Sequence, residues 1–251
     1  MKDRIFLAGA TGAIGRRLLP LLLGAGYEVT GMTRSQAKAL AFRGRGSRMV
    51  VADVFDVDAV MRALDSARPD IVIHQLTDLS ALAGSASPTT AISRNARIRL
   101  EGTRNLVNAA LAVGSRRIIA QSISWAYGPG SLPHAESDPL DVHAPEPRSI
   151  TVGGINALEN AVLHSPPLLG TILRYGQLYG PGTGVDAPCG AAPLHVDAAA
   201  YAALLAVQHE AHGIYNIAEL NADVLTEKAR STLGWRDDMR LPEDVVTEIA
   251  V

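Results

Sequence analysis

The seven residues Gly9-Ala10-Thr11-Gly12-Ala13-Ile14-Gly15 constrain this chain more than any others. They follow an apolar run of strand length, Arg4 to Gly9, and open an amphipathic segment, Ala13 to Leu23. Glycine accepts the tight turn that such a junction needs and lets backbone N–H groups come close to a ligand. The start of the following helix adds partial positive charge. The spacing G-x-x-G-x-x-G at a first strand–helix junction therefore predicts a pyrophosphate cradle, with Gly9, Thr11, Gly12, Ala13, Ile14 and Gly15 around a dinucleotide.

The rest of the chain repeats the alternation. Further strands are expected over 27–32, 47–51, 70–74, 116–121, 171–175 and 214–217, and helices over 35–41, 57–67, 91–113, 152–164 and 196–209. The strands are continuously apolar, which suits a sheet covered on both faces. The fold class that follows is α/β, a Rossmann doubly wound parallel sheet. Ligands in it sit beyond the carboxyl ends of the strands, where the strand order reverses. One segment breaks the rhythm: Gly128 to Pro147 holds Pro129, Pro133, Pro139, Pro145 and Pro147. Proline this dense blocks helix and central strand alike. The segment reads equally as a surface loop or as a lid over the substrate.

Composition narrows the partners. The 251 residues carry a net charge of -2, so no basic face invites nucleic acid. With 47% hydrophobic and 19% charged residues the chain can fill a core. Cys189 is the single cysteine, which excludes an internal disulfide and a multi-cysteine zinc site and fits a reducing, cytoplasmic setting. No cluster has metal-ligand spacing. The first strand begins at Arg4, leaving no room for a signal peptide, and apolar stretches such as 198–207 are too short to span a bilayer, so no membrane partner is expected.

The choice between nicotinamide cofactors turns on the end of the second strand. An acid there would bind the adenosine ribose and favour NAD. The sequence instead reads Met32-Thr33-Arg34-Ser35. Arginine offers a planar fork of donors suited to a 2′-phosphate, so NADP is expected ahead of NAD. Arg34 as a solvated helix-start residue is the alternative. Asp53, with Val54, is placed to meet the adenine edge, or else Asp53 caps the next helix. Gln75 and Leu76 after the fourth strand, and Gln121 on the fifth, complete the cofactor side.

These segments resemble the extended short-chain dehydrogenase/reductase superfamily, in particular its NAD-dependent epimerase/dehydratase branch. The likeness rests on the glycine turn, on Glu101-Gly102-Thr103-Arg104-Asn105-Leu106, and on Gln121-Ser122-Ile123-Ser124-Trp125-Ala126-Tyr127-Gly128. It continues through Leu173-Arg174-Tyr175-Gly176-Gln177-Leu178-Tyr179-Gly180-Pro181-Gly182-Thr183, His195-Val196-Asp197 and Gly213-Ile214-Tyr215-Asn216-Ile217. The resemblance implies a Rossmann domain over 1–175 and a small substrate-binding portion over 176–251 whose elements return to the sheet. It places Tyr175, Gly176 and Leu178 near the nicotinamide. It reads His195 and Asp197 as a helix start. The stretch from Gly182 to Leu194 is short for the family, which implies a small or open substrate pocket. Pairing of two copies through the helices around 91–113 and 152–164 would use Leu100, Leu106, Val107, Leu158 and Val162; these also suit core positions against the sheet.

The family's chemistry uses a Tyr-x-x-x-Lys pair and a Ser or Thr near the fifth strand. Tyr exchanges a proton with substrate, Lys lowers its pKa, and the hydroxyl polarises the substrate oxygen. This chain departs from that pattern. With Glu159 aligned to the Glu that follows the pair, Thr151 stands in place of Tyr and Ile155 in place of Lys. The only lysines are Lys2, Lys38 and Lys228, and none lies four residues after a tyrosine. Counting four back from Tyr127 gives Ile123, flanked by Ser122 and Ser124. An aliphatic hydroxyl such as Thr151 is a far weaker acid than Tyr, whose pKa is about 10. The candidates for the reaction are thus Tyr127, Ser122, Ser124 and Thr151, with His134 and His143 in the proline-rich loop and His74 at the end of the fourth strand. The expected protein is an NADP-dependent oxidoreductase or isomerase, acting on a small carbonyl or sugar-like metabolite with a non-standard proton donor. A non-catalytic NADP(H) sensor or scaffold, and a cyclase or dehydratase that needs no hydride, remain as alternatives.

Overall fold

The computed structural model describes residues 2–42, 46–78, 88–242 and 245. The strands are β1 (Arg4–Ala8), β2 (Glu28–Thr33), β3 (Arg48–Val51), β4 (Ile71–His74), β5 (Arg117–Ile123), β6 (Leu169–Tyr175), β7 (Gln177–Tyr179), β8 (Pro193–His195) and β9 (Gly213–Ile217). Seven of them form one parallel sheet in the order β3-β2-β1-β4-β5-β6-β9. The order reverses between β1 and β4, which opens a crevice at their carboxyl ends. The expected doubly wound sheet is therefore the observed one, with strand ends shifted by one or two residues.

Strand alternation sends neighbouring residues to opposite cores. Ile5, Leu7, Ile71, Ile73, Ile119 and Leu173 pack on one face with α1 (Gly15–Gly24) and α7 (Val196–Gln208). Phe6, Ala8, Val72, Ile118, Ala120 and Ile172 pack on the other with α3 (Val57–Ala67), α5 (Thr103–Ala112) and α6 (Arg148–Leu163). The remaining helices are α2 (Gln36–Ala41), α4 (Pro88–Arg97) and α8 (Glu227–Leu233). Strand β9 and helix α7, both from the 176–251 portion, share the first core with β1 and α1. A small ladder of β7 with β8, and α8, have too few periodic residues to be read from sequence.

Two sequence expectations change here. The helix expected over 91–113 is α4 and α5 joined by a π-helical turn, Ile98–Gly102. Of the residues considered for pairing two copies, Leu106, Val107, Leu158 and Val162 are core, and only Leu100 is exposed, at 53%. Helices α4 and α6 approach closely at Gly154, where a Cβ would lie 2.9 Å from the Ala96 Cα.

Candidate active site

The turn after β1 builds the floor of the site. Gly9 has φ +90°, and a Cβ on it would stand 2.7 Å from the Gln75 carbonyl oxygen. A Cβ on Gly15 would run into the Gly9 carbonyl. Gly12 N–H donates to Gly9 O at 3.0 Å, which closes the turn. The amides of Ala13, Ile14 and Gly15 find no acceptor among the described residues. Unspent N–H groups at a helix start are what an anionic phosphate needs, so the residues present fit a dinucleotide.

A cleft of about 390 Å³ opens from this turn. Its walls include Gly9, Thr11, Gly12, Ala13, Ile14, Thr33, Arg34, Asp53, Val54, Gln75, Leu76, Gln121 and Leu178. The glycine turn, the ends of β2, β3, β4 and β5, and the start of β7 thus converge. Three expected cofactor residues do not line it. Gly15 lies behind the turn, Gly176 abuts Ala192, and Tyr175 is buried with its hydroxyl donating to Ala199 O at 3.1 Å. Burial pushes the Tyr175 hydroxyl pKa upward.

Arg34 sits at the rim, 63% exposed in its side chain, and pairs with Asp78 at 3.2 Å. Sequence reasoning missed two further cations on the same wall, Arg16 and Lys38. Arg16 follows the third glycine directly, and that position was the available signal. Its Nη2 donates to Thr11 O at 3.3 Å, while its buried Nε has no partner among the described residues. Burial, and then Arg17, lower its pKa. Asp53 is the single acid on the cleft wall among the described residues. It accepts from Phe55 N at 3.0 Å; the residue that caps α3 is Asp56, through Ala59 N at 2.9 Å. The capping role considered for Asp53 therefore falls to its neighbour.

The reaction candidates occupy different surroundings. Ser122, Arg174 and Asn216 form one rung across β5, β6 and β9, on the face that α6 covers. Ser122 Oγ donates to Glu159 Oε1 at 2.6 Å. Arg174 holds the same carboxylate through two bonds, at 3.0 and 2.6 Å. Glu159, the anchor of the sequence alignment, is thus a buried ion-pair partner. Tyr127 is 6% exposed; its hydroxyl donates to Asn216 Oδ1 at 2.6 Å, and burial raises its pKa. The His134 ring stacks on Tyr127 at 4.9 Å and bonds Asp138 at 2.9 Å. The proline-rich loop is pinned by His134 N to Asp223 O at 2.7 Å and by Leu225 N to His134 O at 2.9 Å. None of its residues lines the described cleft. His143 is exposed.

Ser124 Oγ is buried without a partner among the described residues, and Thr151 makes no side-chain hydrogen bond to any of them. Ile155, which the sequence reading set at the Lys position, is fully buried in a small apolar cluster with Ile123, Ala126 and Val152. His74 is fully buried; its Nδ1 accepts from Leu76 N at 3.2 Å and its Nε2 bonds Thr103 Oγ1 at 3.0 Å. Burial pushes its pKa down to about 4, with Arg99 adding to the effect, so it is neutral at pH 7. His195 Nδ1 accepts from Asp197 N at 3.2 Å and caps α7, as the sequence implied. Among the described residues no group of His, Cys, Asp and Glu could hold a metal ion, and no helix is long and apolar enough to cross a membrane.

The parallel sheet, its switch point and the unspent glycine turn define a Rossmann-type dinucleotide-binding protein. The model of the NAD dependent epimerase/dehydratase family matches residues 5–208, and the chain belongs to that family of nicotinamide-dependent enzymes. It is 41% identical over 237 residues to a 3-diazoavenalumate denitrifying reductase from a Streptomyces species, covering 86% of this chain and 76% of that one. It is 31% identical over 182 residues to a dTDP-4-dehydrorhamnose reductase of Streptomyces griseus, covering 72% of this chain and 52%, about half, of the relative. Among solved structures, WbmG of Bordetella bronchiseptica in complex with NAD and UDP superposes with a TM-score of 0.74 at 18% identity, over 100% of this chain and 94% of that one. A UDP-glucose 4-epimerase of Thermotoga maritima gives 0.74 at 18%, over 98% and 97%. At such identity these two structures speak for the fold.

Proposed function

We propose that this protein is an NADP-dependent reductase that replaces a carbon-bound diazo group of an organic acid with hydrogen. The observation that carries the reading is the loss of a proton donor: Thr151 and Ile155 hold the Tyr and Lys positions, while Tyr127 and Ser122 spend their hydroxyls on Asn216 and Glu159. Reducing a carbonyl requires a proton as well as a hydride. A bound nicotinamide supplies hydride, and exchanging it for dinitrogen balances as C–N2⁺ plus H⁻ giving C–H plus N2, with no proton to move. A site without its acid therefore suits denitrification and fits poorly with carbonyl reduction. The likeness to a 3-diazoavenalumate denitrifying reductase supports the same reading.

The chain's own residues then bind and orient. The amides of Ala13 and Ile14 take the pyrophosphate, Asp53 and Val54 the adenine edge, and Gln75, Leu76, Gln121 and Leu178 the nicotinamide end. Arg16, Arg34 and Lys38 favour NADP, because three cations against one acid suit an added phosphate. Ser124 and Thr151 offer neutral hydroxyls that position substrate without titrating. Residues 176–251 carry the substrate portion. A second subunit is not needed by this reading, since Leu100 alone of the five considered is exposed. The single cysteine fits a cytoplasmic setting.

The test is anaerobic incubation with 3-diazoavenalumate and either NADPH or NADH. The expected result is NADPH oxidation matched one for one by N2 release, with a 4-deuterated cofactor labelling the carbon that lost nitrogen. NADPH oxidation without N2, or turnover of nucleotide sugars alone, would overturn the reading.

A further inference from the structure

Arg99 is a cation with no assigned task. It lies in the π-helical turn that joins α4 to α5, a distortion often found where a helix serves a site. Four residues before it, Asn95 grips the loop after β4: Asp78 N donates to Asn95 Oδ1 at 2.9 Å, and Asn95 Nδ2 donates to Asp78 O at 3.3 Å. Four residues after it, Thr103 bonds His74 at the end of β4. Residues four apart share a helix face, so Arg99 faces the carboxyl end of β4 between these two anchors. A long helical side chain leans toward the helix N-terminus. In α4 that direction leads up toward the carboxyl ends of the strands, where the cleft opens; Ile98 lines its wall, and Arg99 lies beyond the lining residues.

The guanidinium there is unpaired among the described residues. It makes no hydrogen bond or ion pair with any described residue. The acids that could serve it are engaged elsewhere: Asp78 with Arg34, Glu101 with Arg97, and Glu159 with Arg174. It is partly sheltered from water, and burial pushes its pKa down to about 10, which leaves it charged at neutral pH. A desolvated charge without a partner is costly, and proteins keep such groups where a ligand completes them. His74 and Thr103 cannot do so: His74 is neutral and already spent on Thr103 and Leu76 N.

We propose that Arg99 is the carboxylate-binding residue of the substrate site, pairing with the acid group of the substrate. A planar guanidinium matches a carboxylate through two parallel bonds, which fixes orientation as well as affinity. The cation that the family supplies from α6 is absent here, with Ile155 in its place, and the π-turn supplies one from the neighbouring helix. The inference deepens the denitrifying reading and takes from it only that the substrate is an organic acid.

The test is calorimetric binding to the NADP⁺-loaded protein, with avenalumate and its methyl ester as probes. The parent should bind the acid at least about tenfold tighter than the ester, in line with a bidentate ion pair. Arg99→Met should remove that preference while leaving NADP⁺ affinity within about twofold, and Arg99→Lys should retain part of it. The melting temperature of unliganded Arg99→Met should equal or exceed the parent's, because an unpaired buried charge has been removed. Equal binding of acid and ester by the parent, no binding of either, or an unchanged preference in Arg99→Met each overturns the proposal. Turnover of 3-diazoavenalumate is a separate readout. If it fails while the acid preference depends on Arg99, the denitrifying reading falls and the carboxylate site stands. If turnover occurs without that preference, the reverse holds.

Discussion

The phosphate turn and the group of reaction candidates treat their polar groups in opposite ways. At the phosphate end, donors are left open: the amides of Ala13 and Ile14 and the Nε of Arg16 have no acceptor among the described residues. Among the reaction candidates, Tyr127 and Ser122 are spent. Tyr127 donates to Asn216, and Ser122 joins the buried Glu159–Arg174 pair. An open donor can bind a ligand at little cost. A donor bonded inside the core must first break that bond and leave a buried partner unsatisfied. Under the proposed function, the contrast separates retained binding from remodelled chemistry within one fold.

The largest expected effect tests whether the Ser122–Glu159–Arg174 rung is structural. Glu159→Ala leaves Arg174 buried and uncompensated, so the protein should lose about 3–5 kcal/mol of stability in urea unfolding. A loss below about 1 kcal/mol would mean that the rung is not a structural lock. Next come the cations of the phosphate end. Arg16→Ala and Arg34→Ala should each weaken NADPH binding about tenfold or more, as expected for charge-assisted bonds worth about 1.5–3 kcal/mol, with NADH affinity within about twofold. Equal weakening of both nucleotides would assign these residues to the shared part of the cofactor and remove the ground for NADP. The smallest effect is at Tyr127. Tyr127→Phe should cost about 1 kcal/mol of stability through its lost bond to Asn216, with turnover within about twofold. A fall of about a hundredfold in kcat, the size of a lost general acid, would make Tyr127 the proton donor and erase the contrast.

Much of the phosphate end was legible because its parts are close in sequence. Gly9 to Gly15 is one turn, and Arg34 follows the strand that ends beside it. Arg16 and Lys38 belong to the same end yet were missed, since a charged residue in the first turn of a helix is ordinary until a cleft is seen in front of it. The reacting end was legible only as a loss. The three lysines, none of them four residues after a tyrosine, announce that the usual pair is missing, but nothing local announces that Tyr127 is committed to a residue 89 positions away. The proline-rich loop illustrates the same limit, because its attachment to Asp223 and Leu225 is invisible from residues 128–147 alone.

By itself, then, the sequence determined the alternating layers, the phosphate turn and the absence of a Tyr–Lys pair. Each of these depends on residue type at short spacing, where the backbone geometry is already known. Tertiary structure decided which polar groups remain available. Ser122 meets Glu159 across 37 positions, Tyr127 meets Asn216 across 89, and Arg99 meets no described partner at all. Availability is a property of the packed neighbourhood, set by which side chains the sheet and helices bring together, and only the folded chain fixes that.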